Sequence, residues 1–335
     1  MSVEFILGKT NQIYISNSFD PAVNLSYEEY LMSVCKKEEV IFYLWQNKNT
    51  VVIGRNQNPV KECNIELLKE DNVKLVRRLS GGGAVYHDLG NLNFTFIAHS
   101  STYNIKKQLE VILDALKSFG IVGNYTGRND LTVDGKKFSG NAFMEEDEVC
   151  CHHGTLLVNV ALEKLVNYLT PAKVKVTSKG IESIRSRVTN LKELNEEVTI
   201  GSLKKKLIES FNRLYNDELS LEVQVLDDFE LIKEYARKYN TWEWNMKESP
   251  KCNINTTQKF DWGTFDIDLD IDDGLISSCF INTDSIIMEN FELLEERFIG
   301  SKAKIKVLHQ SIDSTIENEM IREDIKFSLL SIFNL

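Results

Sequence analysis

Two clusters in this sequence have residue types and spacing suited to chemistry on an anionic substrate. The first is Arg77-Arg78-Leu79-Ser80-Gly81-Gly82-Gly83-Ala84-Val85-Tyr86-His87-Asp88-Leu89-Gly90-Asn91. Three consecutive glycines cost conformational entropy. They are useful where a ligand lies against backbone N–H groups, with neighbouring arginines neutralising phosphate or carboxylate oxygens. A flexible turn with two surface arginines would explain the same run. It is neither a P-loop, since Gly-Lys-Ser/Thr is missing, nor a dinucleotide fingerprint, since no Gly-x-Gly-x-x-Gly opens a helix. The second cluster is Gly127-Arg128-Asn129-Asp130-Leu131-Thr132-Val133 followed by Gly135-Lys136-Lys137-Phe138-Ser139-Gly140-Asn141-Ala142. Asp134-Gly135 predicts a tight hairpin turn, which mounts Lys137 on a strand just beyond it and turns Lys136 to solvent. A lysine so mounted can hold a phosphoryl oxygen. An isolated lysine is ordinarily solvated surface, so only the surrounding pattern singles out Lys137.

Cys150-Cys151-His152-His153 invites a metal or nucleophile reading. Four consecutive residues of a strand alternate faces and cannot all reach one ion, and structural zinc usually takes spaced pairs. A thiol beside a histidine leaves a nucleophilic role open. His99 and His309 show no partner pattern and are assigned to structure or surface.

The elements that must position these groups follow from periodicity. Helical spacing predicts a helix over 24–38, and further helices at 104–119, 161–168, 201–216 and 228–239. β-branched and aromatic runs predict strands at 40–45 and 50–54 around Asn47-Lys48-Asn49, and at 73–78 and 92–98 on either side of the glycines. Hairpins interleaved with helices predict an α+β domain, with a mixed or antiparallel sheet packed by helices, over a doubly wound parallel one. A polar, tryptophan-bearing stretch at 241–255, containing Pro250, reads as a linker. Strands at 260–270 and 275–282 and helices near 289–295 and 315–333 then predict a small C-terminal α+β domain. The expected division is 1–245 and 246–335.

Composition narrows the function classes. Hydrophobic residues are 42% and charged residues 27% of the 335, ordinary values for a chain with a real core. The 39 basic and 50 acidic residues give a net charge of -11, which opposes nonspecific binding to nucleic acid or anionic membrane. An anionic substrate must therefore meet a local basic cluster. Six cysteines at 35, 63, 150, 151, 252 and 279 are too few and too irregular for a disulfide framework, and are expected to be reduced. The opening residues lack a basic segment followed by an apolar one, and no apolar run reaches membrane-spanning length, so a cytoplasmic protein is expected.

Together the clusters closely resemble the lipoate-protein ligase family. The resemblance rests on the arginine-glycine run, Gly-Arg-Asn-Asp-Leu, Lys-x-Ser-Gly-Asn-Ala and His152-His153-Gly154-Thr155-Leu156-Leu157, in that order and spacing. It extends through Lys179-Gly180-Ile181, Ser186-Arg187-Val188-Thr189-Asn190-Leu191 and Trp242-Glu243-Trp244, and covers nearly the whole chain. It implies a biotin/lipoate-ligase type of catalytic domain that uses ATP and Mg²⁺ to turn lipoate into a lipoyl-adenylate. The acceptors implied are lipoyl-domain proteins, namely 2-oxoacid dehydrogenase acyltransferase subunits and the glycine cleavage H protein. By motif position, Lys137 would touch both the lipoate carboxyl and the adenylate phosphate. Arg78, Gly81, Gly82, Gly83, Ala84, Val85, Tyr86 and His87 would line the nucleotide and lipoyl site, with Ser139 near Lys137. Asn129 and Asp130 would sit near the phosphates, Asp130 as the metal ligand, and His153 and Thr155 would flank the adenylate. Residues 178–190 resemble an adenylate-binding loop. An apolar pocket for the lipoyl tail would involve Val85 and Phe94, although Phe94 fits ordinary core packing equally well. Related acyltransferases of the superfamily carry octanoyl or lipoyl on a cysteine, which leaves an ATP-independent amidotransferase as the competing enzyme. The arginine-glycine motif and the C-terminal extension oppose it. A noncatalytic lipoate-binding protein is the third reading.

Overall fold

The structure is a computed structural model that describes residues 11–126, 129–169, 187–216, 221–246 and 254–332. The chain divides into two compact units. The first comprises Met1–Val52, Asn64–Val76 and Val85–Thr241, and the second Ile53–Cys63, Arg77–Ala84 and Trp242–Leu335.

The first unit is built on a mixed sheet of eight strands: β1 (Gln12–Ser16), β2 (Val40–Trp45), β6 (Asn91–His99), β7 (Asn124–Thr126), β8 (Asp130–Val133), β9 (Lys136–Glu146), β10 (Val149–Leu157) and β11 (Val223–Leu226). Their order is β11-β1-β2-β6-β10-β9-β8-β7. β1 pairs in parallel with both β2 and β11, and the other pairings are antiparallel. A smaller sheet has the order β4-β3-β5, from β3 (Thr50–Ile53), β4 (Lys74–Arg77) and β5 (Val85–His87). The expected mixed α+β architecture is present.

Strand alternation gives the large sheet two unlike faces. Phe42 and Leu44 of β2 and Phe94 and Phe96 of β6 form one apolar core with Leu109, Ile112 and Leu116 of the helix Ile105–Lys117 and Leu203, Leu207 and Phe211 of the helix Ile200–Tyr215. Asn104 caps the first of these helices through the Lys107 N–H, and a Thr199–Ser202 capping box starts the second. The opposite face meets the helix Pro21–Val34, whose Asp20 cap accepts from the Ala22 N–H. That helix starts three residues before its expected position because Asp20-Pro21 is itself a capping pair.

The second unit holds the antiparallel sheet β12 (Ile254–Phe260), β13 (Gly263–Asp272) and β14 (Leu275–Thr283). Phe265, Ile267, Leu269 and Ile281 pack on Leu294, Phe298, Leu308, Ile312, Ile321, Ile325 and Leu329 of three helices. β12 and the helix Ile305–Asp313 escape prediction from the sequence. β12 is an edge strand in which Ile254 and Phe260 flank a run of Asn, Thr, Gln and Lys, alternating between exposed and half-buried, so its interior carries little apolar signal.

Two expectations need correction. The stretch read as a linker contains the short helix Trp242–Met246. Arg77 and Arg78, allowed as surface arginines, are only 2% and 6% exposed.

Candidate active site

Lys137 stands where the turn chemistry places it. Asp134 and Gly135 take φ values of 49° and 76°, the left-handed pair of a two-residue hairpin, and β9 begins at the next residue. Lys136 is exposed, while Lys137 folds its ammonium over the sheet to within 2.7 Å of Asp130 Oδ1 on β8. Both backbone groups of Lys137 are also held. Its N–H donates to Arg187 O at 2.7 Å, and its carbonyl accepts from Thr189 N–H at 2.9 Å. Lys137 and Val188 thereby form a parallel bridge, which ties the end of the segment resembling an adenylate-binding loop to the lysine. Residues 178–186 of that segment lie outside the described residues, as do Gly127 and Arg128. A cavity of about 560 Å³ opens against Val188, with Val160, Lys164, Asn190 and Glu193 among its lining residues.

The spacing Lys-x-Ser-Gly has a steric reason. A Cβ on Gly140 would stand 2.9 Å from the Lys137 ammonium and 3.0 Å from its Cε, so glycine leaves the room the side chain occupies. Thr155 on β10 accepts from the Gly140 N–H at 3.2 Å. Asn129 closes the end of the β8–β9 ladder away from the Asp134-Gly135 turn, its carbonyl accepting from the Asn141 backbone N–H at 2.8 Å and from Asn141 Nδ2 at 2.9 Å. Ser139 is fully buried, and a register shift in the β8–β9 ladder, where Leu131 pairs with Ser139 but Thr132 with Lys137, breaks the alternation that would otherwise put the two side chains on one face.

On the face under the helix Pro21–Val34, β10 presents Cys151, His153 and Thr155 in line. His153 Nδ1 lies 2.9 and 3.0 Å from the two carboxylate oxygens of Glu28 on the helix Pro21–Val34. Thr95 Oγ1 donates to Glu28 Oε2 at 2.7 Å, and Trp45 Nε1 donates to Thr95 Oγ1 at 3.0 Å. Asn91 Nδ2 donates to Asn93 Oδ1 at 2.9 Å. Asn93 Nδ2 and Asn91 Oδ1 are buried with no partner among the described residues. An unsatisfied buried amide costs about 1–3 kcal/mol, so this polar pair is suited to meet a ligand or water. Sequence reasoning missed Glu28, Trp45, Asn93 and Thr95. Only their strand and helix register reveals them, and nothing local distinguishes Glu28 from Glu29, which instead meets Lys238 and Tyr239.

The other face of β10 is structural. His152 bridges Gln108 Oε1 and Asn141 Oδ1, each at 2.9 Å, and stacks on Phe143 at 4.7 Å between centroids. Burial, with His153 adding to it, pushes its pKa down to about 3, so the ring is neutral. Phe94, left open between core and pocket, belongs to the core. Val85 is half-buried, and the Tyr86 hydroxyl donates to Asn49 Oδ1 at 3.1 Å while its ring packs on Tyr168. His87 Nδ1 meets Asn47 Nδ2 at 3.2 Å, with its ring edge toward Trp45. Burial and Glu145 push the Cys150 thiol up to about 11, and burial and Glu28 push Cys151 well up. Protonated thiols are weak nucleophiles at neutral pH, which opposes a thioester mechanism.

Arg78, Gly81, Gly82, Gly83 and Ala84 fall in the second unit. Arg78 curls over its own loop, donating from Nε to Ser80 Oγ at 3.0 Å and from Nη2 to the carbonyls of Gly81 and Gly83 at 2.6 and 2.9 Å. The Gly82 N–H donates to Ser285 O at 2.7 Å, and a Cβ on Gly81 would overlap that same carbonyl. Arg77 is the buried hub of this unit. Its guanidinium donates to the carbonyls of Gly54, Arg55, Gln57, Trp244 and Asn245, and its carbonyl accepts from Trp244 Nε1. Burial, with Arg55 adding to it, lowers its pKa to about 10, which leaves it charged.

A mixed sheet carrying a strand-mounted lysine–aspartate pair and a buried polar cluster under the helix Pro21–Val34, in a chain with a separate small α+β unit, places the chain in a two-part α+β class. Residues 20–212 match the family described as Lipoyl protein ligase A/B catalytic domain, and residues 249–333 match Bacterial lipoate protein ligase C-terminus. The chain belongs to the lipoyl protein ligase A/B family. It is 39% identical over 296 residues to the lipoate-protein ligase A of Blochmanniella floridana, covering 86% of this chain and 88% of that one. The crystal structure of P. falciparum LipL1 in complex with lipoate superposes with a TM-score of 0.84 at 29% identity, covering 96% of this chain and 100% of that one. A lipoate-protein ligase A bound with ATP gives 0.62 at 25% identity, over 70% and 98%.

Proposed function

We propose that this chain is an ATP-dependent, AMP-forming lipoate-protein ligase. A carboxylate oxygen of lipoate attacks the α-phosphorus of ATP and pyrophosphate leaves. The amine of an acceptor lysine then attacks the acyl carbon of the lipoyl-adenylate, loses its proton, and AMP departs as the amide forms. The observation that carries the reading is the Lys137 ammonium held over Gly140 on a fixed strand, next to the only carboxylate with which it pairs among the described residues.

Two anions must approach in the first step, so a pre-aimed cation lowers the barrier without reorganisation. Lys137 supplies that charge, with Thr155 and Ser139 setting the strand positions around it. Asn129 and Asp130 stand at the phosphate end. Asp130 is a single carboxylate about one-third exposed, which fits Mg²⁺, an ion usually held by one or two carboxylates and the substrate phosphates. When bound, the ion would neutralise phosphate charge. His153, held by Glu28, and the unsatisfied amides of Asn91 and Asn93 would line the acyl end, with Val85, Tyr86 and His87 as nearby wall. Arg78, Gly81, Gly82, Gly83 and Ala84 are assigned to nucleotide contact by motif position alone, since the Arg78 donors brace the loop and the Gly82 N–H already donates to Ser285 O. Residues 1–245 would be the catalytic domain and 246–335 an accessory one.

The acceptor class we infer is the lipoyl-domain protein of 2-oxoacid dehydrogenases and the glycine cleavage H protein, and the compartment the cytoplasm. No helix of the described residues is long and apolar enough to cross a membrane. The raised thiol pKa values disfavour the cysteine-dependent amidotransferase. ATP–pyrophosphate exchange tests the reading. Lipoate-dependent exchange is expected, with Lys137→Ala losing it by orders of magnitude while staying folded. Acyl transfer without ATP would overturn the proposal.

A further inference from the structure

The face of the large sheet under the helix Pro21–Val34 brings together three side chains of different ligand chemistry. Cys151 and His153 are two residues apart on β10 and share a face, and Glu28 reaches that face from the helix Pro21–Val34. One ligand atom from each lies within 4.8 Å of the other two. Glu28, Cys151 and His153 are 2%, 1% and 7% exposed. The carboxylate is already oriented by Thr95, which is itself held by Trp45, the outer layer that metal ligands characteristically have. Met144 stands opposite Cys151 across the β9–β10 ladder, adding a thioether to the same face.

We propose that Glu28, Cys151 and His153 bind one transition-metal ion of the Zn²⁺ type. Zn²⁺ accepts Cys sulfur, His nitrogen and carboxylate oxygen and is held in some sites by three protein ligands, whereas a thiolate disfavours hard cations such as Mg²⁺. Binding releases the Cys151 proton to solvent as sulfur donates its lone pair to the ion, and Glu28 exchanges its hydrogen bond with His153 Nδ1 for the metal. The Glu28–His153 hydrogen bond accounts for two of the three groups. It gives no reason for a thiol to complete the triangle. The site shares Glu28 and His153 with the acyl end of the ligase reading above, and its test reads metal binding rather than activity, so that either can fail without the other.

The experiment is an anaerobic Co²⁺ titration of the chelator-treated full chain, followed by displacement with Zn²⁺. One equivalent should bind with a near-ultraviolet thiolate-to-metal charge-transfer band that Zn²⁺ removes. The band should vanish in Cys151→Ser and persist in Cys150→Ser, whose thiol points to the other face. Thr95→Val should retain the band while weakening Co²⁺ binding about 10–100-fold. Absence of the band in the unaltered chain overturns the proposal, and that arm does not depend on any variant folding. Persistence of the band in Cys151→Ser overturns it as well, by assigning the metal to another thiol.

Discussion

The Lys137 ammonium pairs with the Asp130 carboxylate at 2.7 Å across a single hairpin. Both side chains are about one-third exposed, so the pair is worth no more than about 1 kcal/mol to folding. Its consequence lies in where it holds the charge. The two-residue turn fixes the strands on which both groups stand, and the Arg187 and Thr189 backbone bonds stop β9 from shifting.

Asp130→Asn tests that relationship. The variant should melt within a few degrees of the parent, because a surface pair is removed. Lipoyl-adenylate formation should fall on the order of 100-fold, as expected when a reacting charge loses its position. Single-turnover adenylation measured beside a thermal melt separates the two effects. An unchanged rate would remove Asp130 from the site.

Gly140→Ala probes the same charge from beneath. The new methyl displaces the end of a flexible side chain, so stability should hold while the ammonium moves by about an ångström. A comparable loss on the order of 100-fold in kcat/KM is expected. Wild-type kinetics in a variant whose structure shows the methyl in place would mean that the ammonium position is not critical.

His152 makes stability depend on pH. Its folded pKa of about 3 is below the ordinary value of 6.5, so between those values the unfolded chain binds a proton that the folded chain does not. Stability therefore rises with pH across that window and is lost on acidification, by up to about 1.4 kcal/mol per pH unit from this group. Urea unfolding at pH 5 and pH 7 should show a smaller difference in His152→Gln than in the parent. An equal difference in the two proteins would assign the acid sensitivity elsewhere.

Arg77→Met removes the guanidinium that serves five backbone carbonyls in the second unit. Leaving several of them buried and unsatisfied should destabilise that unit by at least about 3 kcal/mol. Arg77→Lys should recover only part of this, since an ammonium lacks the planar fork that reaches carbonyls on both Gly54–Gln57 and Trp244–Asn245. Proteolysis of the second unit and denaturant unfolding both report the change. A loss under about 1 kcal/mol for Met would show that water substitutes for the guanidinium.

The sequence by itself determined whatever is local. Asp134-Gly135 fixes a hairpin through backbone sterics, and a period of two then decides that Lys137 faces inward and Lys136 outward. The alternating run of β6 likewise separates Phe94 and Phe96 from Asn93 and Thr95, and the capping residues set most helix starts. The ordered motifs were specific enough to identify the family. Tertiary structure decided which groups meet across long separations. Glu28 reaches His153 only because a helix 125 residues earlier in the chain lies over β10. Arg77 and Arg78 read as phosphate binders from their types, but their donors go to carbonyls near residues 54 and 245 and to their own loop. A charge pattern shows that a cation is present. Its partner depends on burial, which only the packed fold supplies.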